Sequence, residues 1–294
     1  MIFSMTDRYQ SSSATKQRPE VGSRQRAQRF AAMASLTGLL VVIGCGYGGV
    51  PIGDGTVTPP PAVASEIGNW QVQATSTAGT SPFIALAGWI YEPKSTGTAA
   101  VTTQSVFQVT PGASNCFVSA TTLPSQGTLT GRALVLNGFA VNGQYSTINA
   151  TQDETATHFT GTYSVRGGCA SGTAGTVTGT RYDALTGSYR GALAGGQTFV
   201  IATTQDPYPD GTGYFSLSGS ATVIGTGCLT GATLDADSSY VIGSSVSMTL
   251  VSASGLRLTL VGSFTPDASS ITVTSVQIAG ACADSFGAGM LLRQ

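Results

Sequence analysis

The sequence predicts an all-β protein: two tandem antiparallel up-and-down repeats of about eight strands each, most simply small barrels, behind an N-terminal address segment and a flexible tether. Three observations predict it. Charged residues make up only 9% of the chain while glycine reaches 39 residues. Short segments alternate apolar with Ser or Thr. Two pairs of cysteines recur at one spacing.

The low charge is offset by hydroxyl side chains, and Thr/Val/Ser/Gly strands with frequent turns give that profile. A hydrophobic share of 41% argues for a packed body over disorder. The formal net charge of −1 hides an asymmetry. Arg8, Lys16, Arg18, Arg24, Arg26 and Arg29 crowd the first thirty residues, whereas from Cys45 onward seven basic residues face twelve acidic ones, a balance of −5. The body is mildly acidic without basic clusters, which argues against nucleic acid as a partner.

The basic run ends at Arg29 and an apolar stretch follows from Phe30 to Gly44. It is shorter than the about 20 residues a membrane-spanning helix needs, and it fits the apolar core of an export signal. Val42-Ile43-Gly44-Cys45 resembles the bacterial lipoprotein signal-peptide box. That resemblance implies cleavage of residues 1–44, a diacylglycerol and further acyl chains (palmitate among them) on Cys45, and a membrane partner through the lipid. Gly46 stands where an inner-membrane retention signal would carry Asp, which favours the outer membrane or cell surface. Residues 45–66 read as a Gly/Pro-rich tether with Pro59-Pro60-Pro61 at its far end, reaching roughly 25 Å as a coil.

Four cysteines remain: Cys116, Cys169, Cys228 and Cys282. The pairs span 53 and 54 residues and are offset by 112 and 113. Gly175 and Arg181 recur as Gly287 and Arg293, and Gly68-Asn69-Trp70 resembles Gly187-Ser188-Tyr189. The chain therefore divides into a first β-repeat, 67–183, and a second, 184–294, with the seam near 183–186. An exported chain oxidises its thiols. Of three pairings the duplication selects Cys116–Cys169 and Cys228–Cys282, each worth about 4 kcal/mol in the chain-entropy model. Buried free thiols are the alternative.

Val246, Met248 and Leu250 alternate with Ser247 and Thr249, and Leu256, Leu258 and Leu260 follow a Ser252–Gly255 turn. This is a hairpin with one buried face. Phe159, Gly161, Tyr163 and Val165 repeat the pattern in the first half, and Asn137-Gly138 and Asn142-Gly143 are turn dipeptides. No amphipathic helix follows residue 45. The strand spacing suits a sandwich or a barrel. In a meander, the third-to-fourth and seventh-to-eighth connections share one end, which brings each cysteine pair together.

Gly68-Asn69-Trp70, opening the first strand of an eight-strand meander, resembles the lipocalin G-x-W signature. The resemblance implies a barrel whose closed end holds Trp70 under Arg181 of the last strand. The second repeat departs by offering Tyr189 with Arg293. More broadly the chain is similar to uncharacterised Gly/Thr-rich β-repeat lipoproteins of bacteria, a likeness that implies no activity.

The chain shows no G-x-S-x-G elbow and no phosphate loop. His158 is the single histidine and reads as a strand-end residue. Asp153 and Glu154, as adjacent strand residues, would face opposite sides and make no carboxylate pair. Asp206, Asp210, Asp235 and Asp237 invite a calcium reading, but Asp and Gly also build ordinary turns. No metal or cofactor is assigned. The expected role is non-catalytic, a structural or surface-interaction part of the cell envelope. The alternative is lipocalin-like binding of a small apolar ligand inside a barrel, and a hollow or a filled interior separates the two.

Overall fold

The computed structural model describes residues 67–77, 82–91, 100–109, 121–138, 143–168 and 171–294, and every regular element among them is a strand. The first eight are β1 (Gly68–Ser76), β2 (Pro82–Tyr91), β3 (Ala100–Val109), β4 (Thr121–Thr130), β5 (Ala133–Gly138), β6 (Tyr145–Gln152), β7 (His158–Arg166) and β8 (Ala174–Tyr182). Each pairs antiparallel with the next, and β8 closes on β1. The first repeat is a closed eight-stranded up-and-down barrel.

The second repeat comprises β9 (Gly187–Ala192), β10 (Thr198–Gln205), β11 (Phe215–Ile224), β12 (Gly231–Leu234), β13 (Tyr240–Ile242), β14 (Ser245–Val251), β15 (Arg257–Phe264), β16 (Ser270–Ala279) and β17 (Gly289–Arg293). It too closes, through β17 on β9 and β10 on β11. Nine strands fill eight positions around the barrel, because β12 and β13 share the place between β11 and β14. From Leu234, opposite Leu250, to Tyr240, opposite Ser247, residues 235–239 face only 248–249 of β14. The surplus chain folds outward over β14, where Ser239 Oγ accepts from Thr249 N at 2.9 Å. Thr249, an outward position, is thereby buried.

Period-two alternation decides what lies inside. Along β10, Phe199, Ile201, Thr203 and Gln205 are buried and the residues between them are not. Val246, Met248 and Leu250 of β14 meet Leu258, Leu260 and Phe264 of β15 in one contiguous cluster with Tyr189, Phe215 and Leu217. In the first barrel Trp70, Phe107, Leu129, Leu134, Phe159 and Val177 belong to a second such cluster. Each large apolar side chain buried this way contributes about 1.5–3 kcal/mol. A one-residue slip would turn the whole set outward, so the register is strongly held. Apolar inward and hydroxyl-rich outward is the inverse of a membrane-spanning barrel, whose outer band is apolar.

Asn137-Gly138 is not a turn. The pair ends β5, with Asn137 Oδ1 accepting from Thr147 Oγ1 of β6 at 3.0 Å. A Cβ on Gly138 would lie 2.5 Å from Ser146 Oγ, so glycine is there for close packing. Asp153 and Glu154 likewise lie in the β6–β7 turn, not on a strand.

Residues 183–186 run without regular structure between the barrels, and Leu185 among them is fully buried. Leu185 donates its N–H to Gln205 Oε1 at 2.8 Å and accepts Thr203 Oγ1 at 2.7 Å. The link is thus the first piece of the second barrel's core.

Candidate functional site

The sequence-nominated residues fall at the two ends of the barrels. Trp70 stands opposite Arg181 across β1 and β8, and Tyr189 opposite Arg293 across β9 and β17. Both aromatic side chains are fully buried. Trp70 packs on Phe159 with ring centroids 5.2 Å apart, while the Tyr189 hydroxyl donates to the Ala268 carbonyl at 2.9 Å. Ala268 sits in the β15–β16 turn at φ 52°, and Ala156, 112 residues earlier in the β6–β7 turn, has the same φ. A left-handed alanine costs about 1–2 kcal/mol. Two buried at matched places show that the turns are built alike to close this end.

The two turns use different caps. In the first, Asp153 accepts from Thr157 N at 2.9 Å and Thr157 Oγ1 at 2.9 Å, with His158 Nδ1 at 3.4 Å. Desolvation pushes the Asp153 carboxyl up, but hydrogen bonds from the Thr157 backbone and hydroxyl, the His158 backbone and the Thr155 hydroxyl outweigh it and hold it well below the ordinary value. In the second, Thr265 Oγ1 caps Ser269 N at 3.0 Å. His158 thus belongs to a turn that the second repeat makes without histidine. Glu154 lies 3.8 Å from Arg132 and away from any carboxylate partnership with Asp153.

Cys228 lies in the β11–β12 connection and Cys282 in the β16–β17 connection, both at the opposite end. They are disulfide-bonded, with Cα atoms 5.6 Å apart, within the ordinary range. Cys45, Cys116 and Cys169 lie outside the described residues.

Three of the four acidic loop residues build turns with their carboxylates, and Asp237 donates its N–H to Asp235 Oδ1 at 3.3 Å. Asp206 accepts Tyr208 N at 2.9 Å, and Asp210 Oδ1 accepts Thr212 N, Thr212 Oγ1 and Tyr214 N at 2.7–3.0 Å. Asp235 is paired with Arg257 and with Ser238. Asp210 and Asp237 do line one open depression of ≈ 250 Å³, with Tyr214 and Tyr240 edge-to-face at 4.9 Å. Two carboxylates in an open dish fall short of the six to eight oxygens calcium takes.

Sequence reasoning missed the seam between the barrels, which belong to one compact unit. Asn69 points outward from β1 yet is only 1% exposed. Its amide donates to the Gly243 carbonyl at 2.8 Å and accepts the Gly243 N–H at 2.6 Å. Ser244 N reaches Gln71 Oε1 at 3.3 Å, and Gln108 Nε2 donates to the Thr212 carbonyl at 2.8 Å. Tyr182, at the end of β8, meets Phe264 edge-to-face at 5.2 Å, and Asp183 N bonds the Pro266 carbonyl at 2.7 Å. The loops closing the second barrel are therefore set against the outer side of the first. Gly243 is required there: its φ is +53°, and a Cβ would lie 2.3 Å from Gln71 Oε1 and 2.7 Å from Ala87 Cβ.

The chain matches no protein-family model, no curated protein and no solved structure. What it can do chemically is read from its own geometry.

Proposed function

We propose that the protein is a non-catalytic, lipid-anchored component of a bacterial cell envelope that acts through the outer faces and loops of a rigid double barrel, in a structural or surface-contact role. One observation carries this reading: the inward positions of the second barrel are taken by large side chains in mutual contact. A lipocalin-like apolar ligand needs that space, and in the first barrel Trp70, Phe107, Leu129, Leu134, Phe159 and Val177 cluster in the same way, which turns the reading to the outside. The seam supports the same reading, since it joins the two barrels into one body able to present a large, braced surface.

The anchor rests on Val42-Ile43-Gly44-Cys45 and the tether behind it. Its test is Cys45→Ala. The variant is expected to leave the membrane fraction, and continued lipid-like partitioning would overturn the anchor. The contact role is tested by a photo-crosslinker at Tyr208, a side chain 70% exposed at a loop. The membrane-bound protein is expected to trap a defined envelope component. Absence of any adduct in intact cells would count against a contact role.

A further inference from the structure

The Cys228–Cys282 bond lines an open depression with Gly227, Ala281, Ala283 and Asp284. Asp284 is placed against it. Its Oδ2 lies 3.2 Å from Cys228 Sγ and 3.9 Å from Cys282 Sγ. These donor atoms, all within 4.8 Å of one another, form the one such metal-competent group among the described residues. With the sulfurs joined to each other, what remains is a carboxylate touching a disulfide. The carboxylate is fixed from behind by Thr226 Oγ1 and by Gly227 N at 3.0 Å. Those two hydrogen bonds hold it below the ordinary carboxylate value, so it is ionised at neutral pH. In the first repeat the residue two past the matching Cys169 is Ser171, so this charge belongs to the second repeat alone.

We propose that the Cys228–Cys282 disulfide is a charge-selective thiol-exchange site, closed to anionic thiols by Asp284 and open to thiols that carry a positive charge. Exchange requires a thiolate to attack one sulfur while the other departs as a thiolate. Attack on Cys282 expels the Cys228 thiolate beside the Asp284 carboxylate. A like charge at that distance raises the thiol pKa and makes it a poorer leaving group. Attack on Cys228 instead drives the incoming thiolate against the same carboxylate. Either route brings two negative charges together, and an ammonium group on the attacking thiol relieves both. The step balances with a monothiol as reductant. The first thiolate forms a mixed disulfide and frees one protein thiolate, which takes a proton. A second thiol resolves the mixed disulfide, leaving two protein thiols and one molecule of oxidised reductant.

The test is the opening rate of this bond in the full-length protein with cysteamine, which is cationic, and glutathione, which is anionic. Alkylation followed by peptide mass analysis reads Cys228 and Cys282 separately from the other cysteines. Compared per thiolate, wild type is expected to favour cysteamine, and 1 M salt to remove the preference, because charges at an open site are screened. Asp284→Asn should speed glutathione about threefold through the leaving group alone and more through lost repulsion, while cysteamine gains less. Asp284→Glu should keep the preference. Equal acceleration of both thiols in Asp284→Asn would mark a merely loosened loop and overturn the proposal. So would a wild-type preference that is absent or indifferent to salt, a result that needs no variant to fold.

Discussion

The two barrels end in the same pair of turns, and those turns have gone separate ways. The second barrel offers Gly243-Ser244 to the outer face of the first and Pro266 to the link at Asp183, all of them small and uncharged. At the positions 112 residues earlier the first barrel carries Gly131-Arg132 and Glu154. Arg132 is exposed there, bonded to the Gln152 carbonyl at 2.7 Å and near Glu154. On the receiving side, Asn69 and Gln71 of β1 become Ser188 and Arg190 on β9. A duplicated unit whose end fits its own flank makes a head-to-tail contact, and such contacts propagate unless something stops them. Here arginine stands at the free end and again on the free flank. Neither arginine reproduces the small, uncharged fit of the seam, so after duplication the end and the flank that meet have diverged from those that do not.

Breaking that contrast gives the largest expected effect. Gly131 shares the left-handed φ of Gly243, at +58°, but has nothing within 4 Å of a built Cβ. Gly131→Ala should cost only the backbone term, about 1–2 kcal/mol. Gly243→Ala adds overpacking of about 1–3 kcal/mol and should open the seam. Denaturant unfolding together with hydrogen exchange over 69–71 and 243–244 measures both. Equal losses without faster exchange would mean that the seam does not hold the barrels together.

Asn69→Ala sharpens the same point from the other side. It strips both partners from the buried Gly243 backbone and should cost about 1–3 kcal/mol, whereas Ser188→Ala at the matching place on the second barrel should stay within about 0.5 kcal/mol. A smaller step separates the closed ends. Tyr189→Phe removes the donor to the Ala268 carbonyl and should cost about 1 kcal/mol, read as a lowered midpoint at unchanged slope.

The smallest effect is in pH. Hydrogen bonds from Thr265 and from Ser269 lower the Asp267 carboxyl to about 2. A depressed folded-state value means stability that is present above the unfolded value, near 4, and lost as pH falls from there toward 2. Melting temperature should decline across that window, and less steeply in Asp267→Asn. Parallel curves for the two proteins would remove Asp267 from the account.

Much of the architecture was legible because alternation and duplication are local signals. Val246, Met248 and Leu250 show their buried face in seven residues, and the cysteine offset alone pairs Cys228 with Cys282. The fourth position of the second barrel was not legible. Asp235–Ser239 looks like any acidic turn, and only pairing with β14 reveals five residues facing two. The seam was hidden for a related reason. Asn69, Gln71 and Gln108 are polar residues on outward positions, which ordinarily means solvent. What covers them comes from two turns about 100–175 residues away in sequence, as the amide bonds to Thr212 and Gly243 record. Asn137-Gly138 misled for the opposite reason, since a strong turn signal was overridden by packing against Ser146.

The claim that function lies outside filled barrels meets its most direct test in native mass spectrometry of the protein body, residues 67–294, produced in an oxidising periplasm and purified without detergent. The account predicts a bare polypeptide mass with the Cys228–Cys282 bond intact. A reproducible added mass, retained by a small apolar molecule and lost when inward residues such as Phe199 or Leu217 are enlarged to Trp, would contradict it and return the function to the interior.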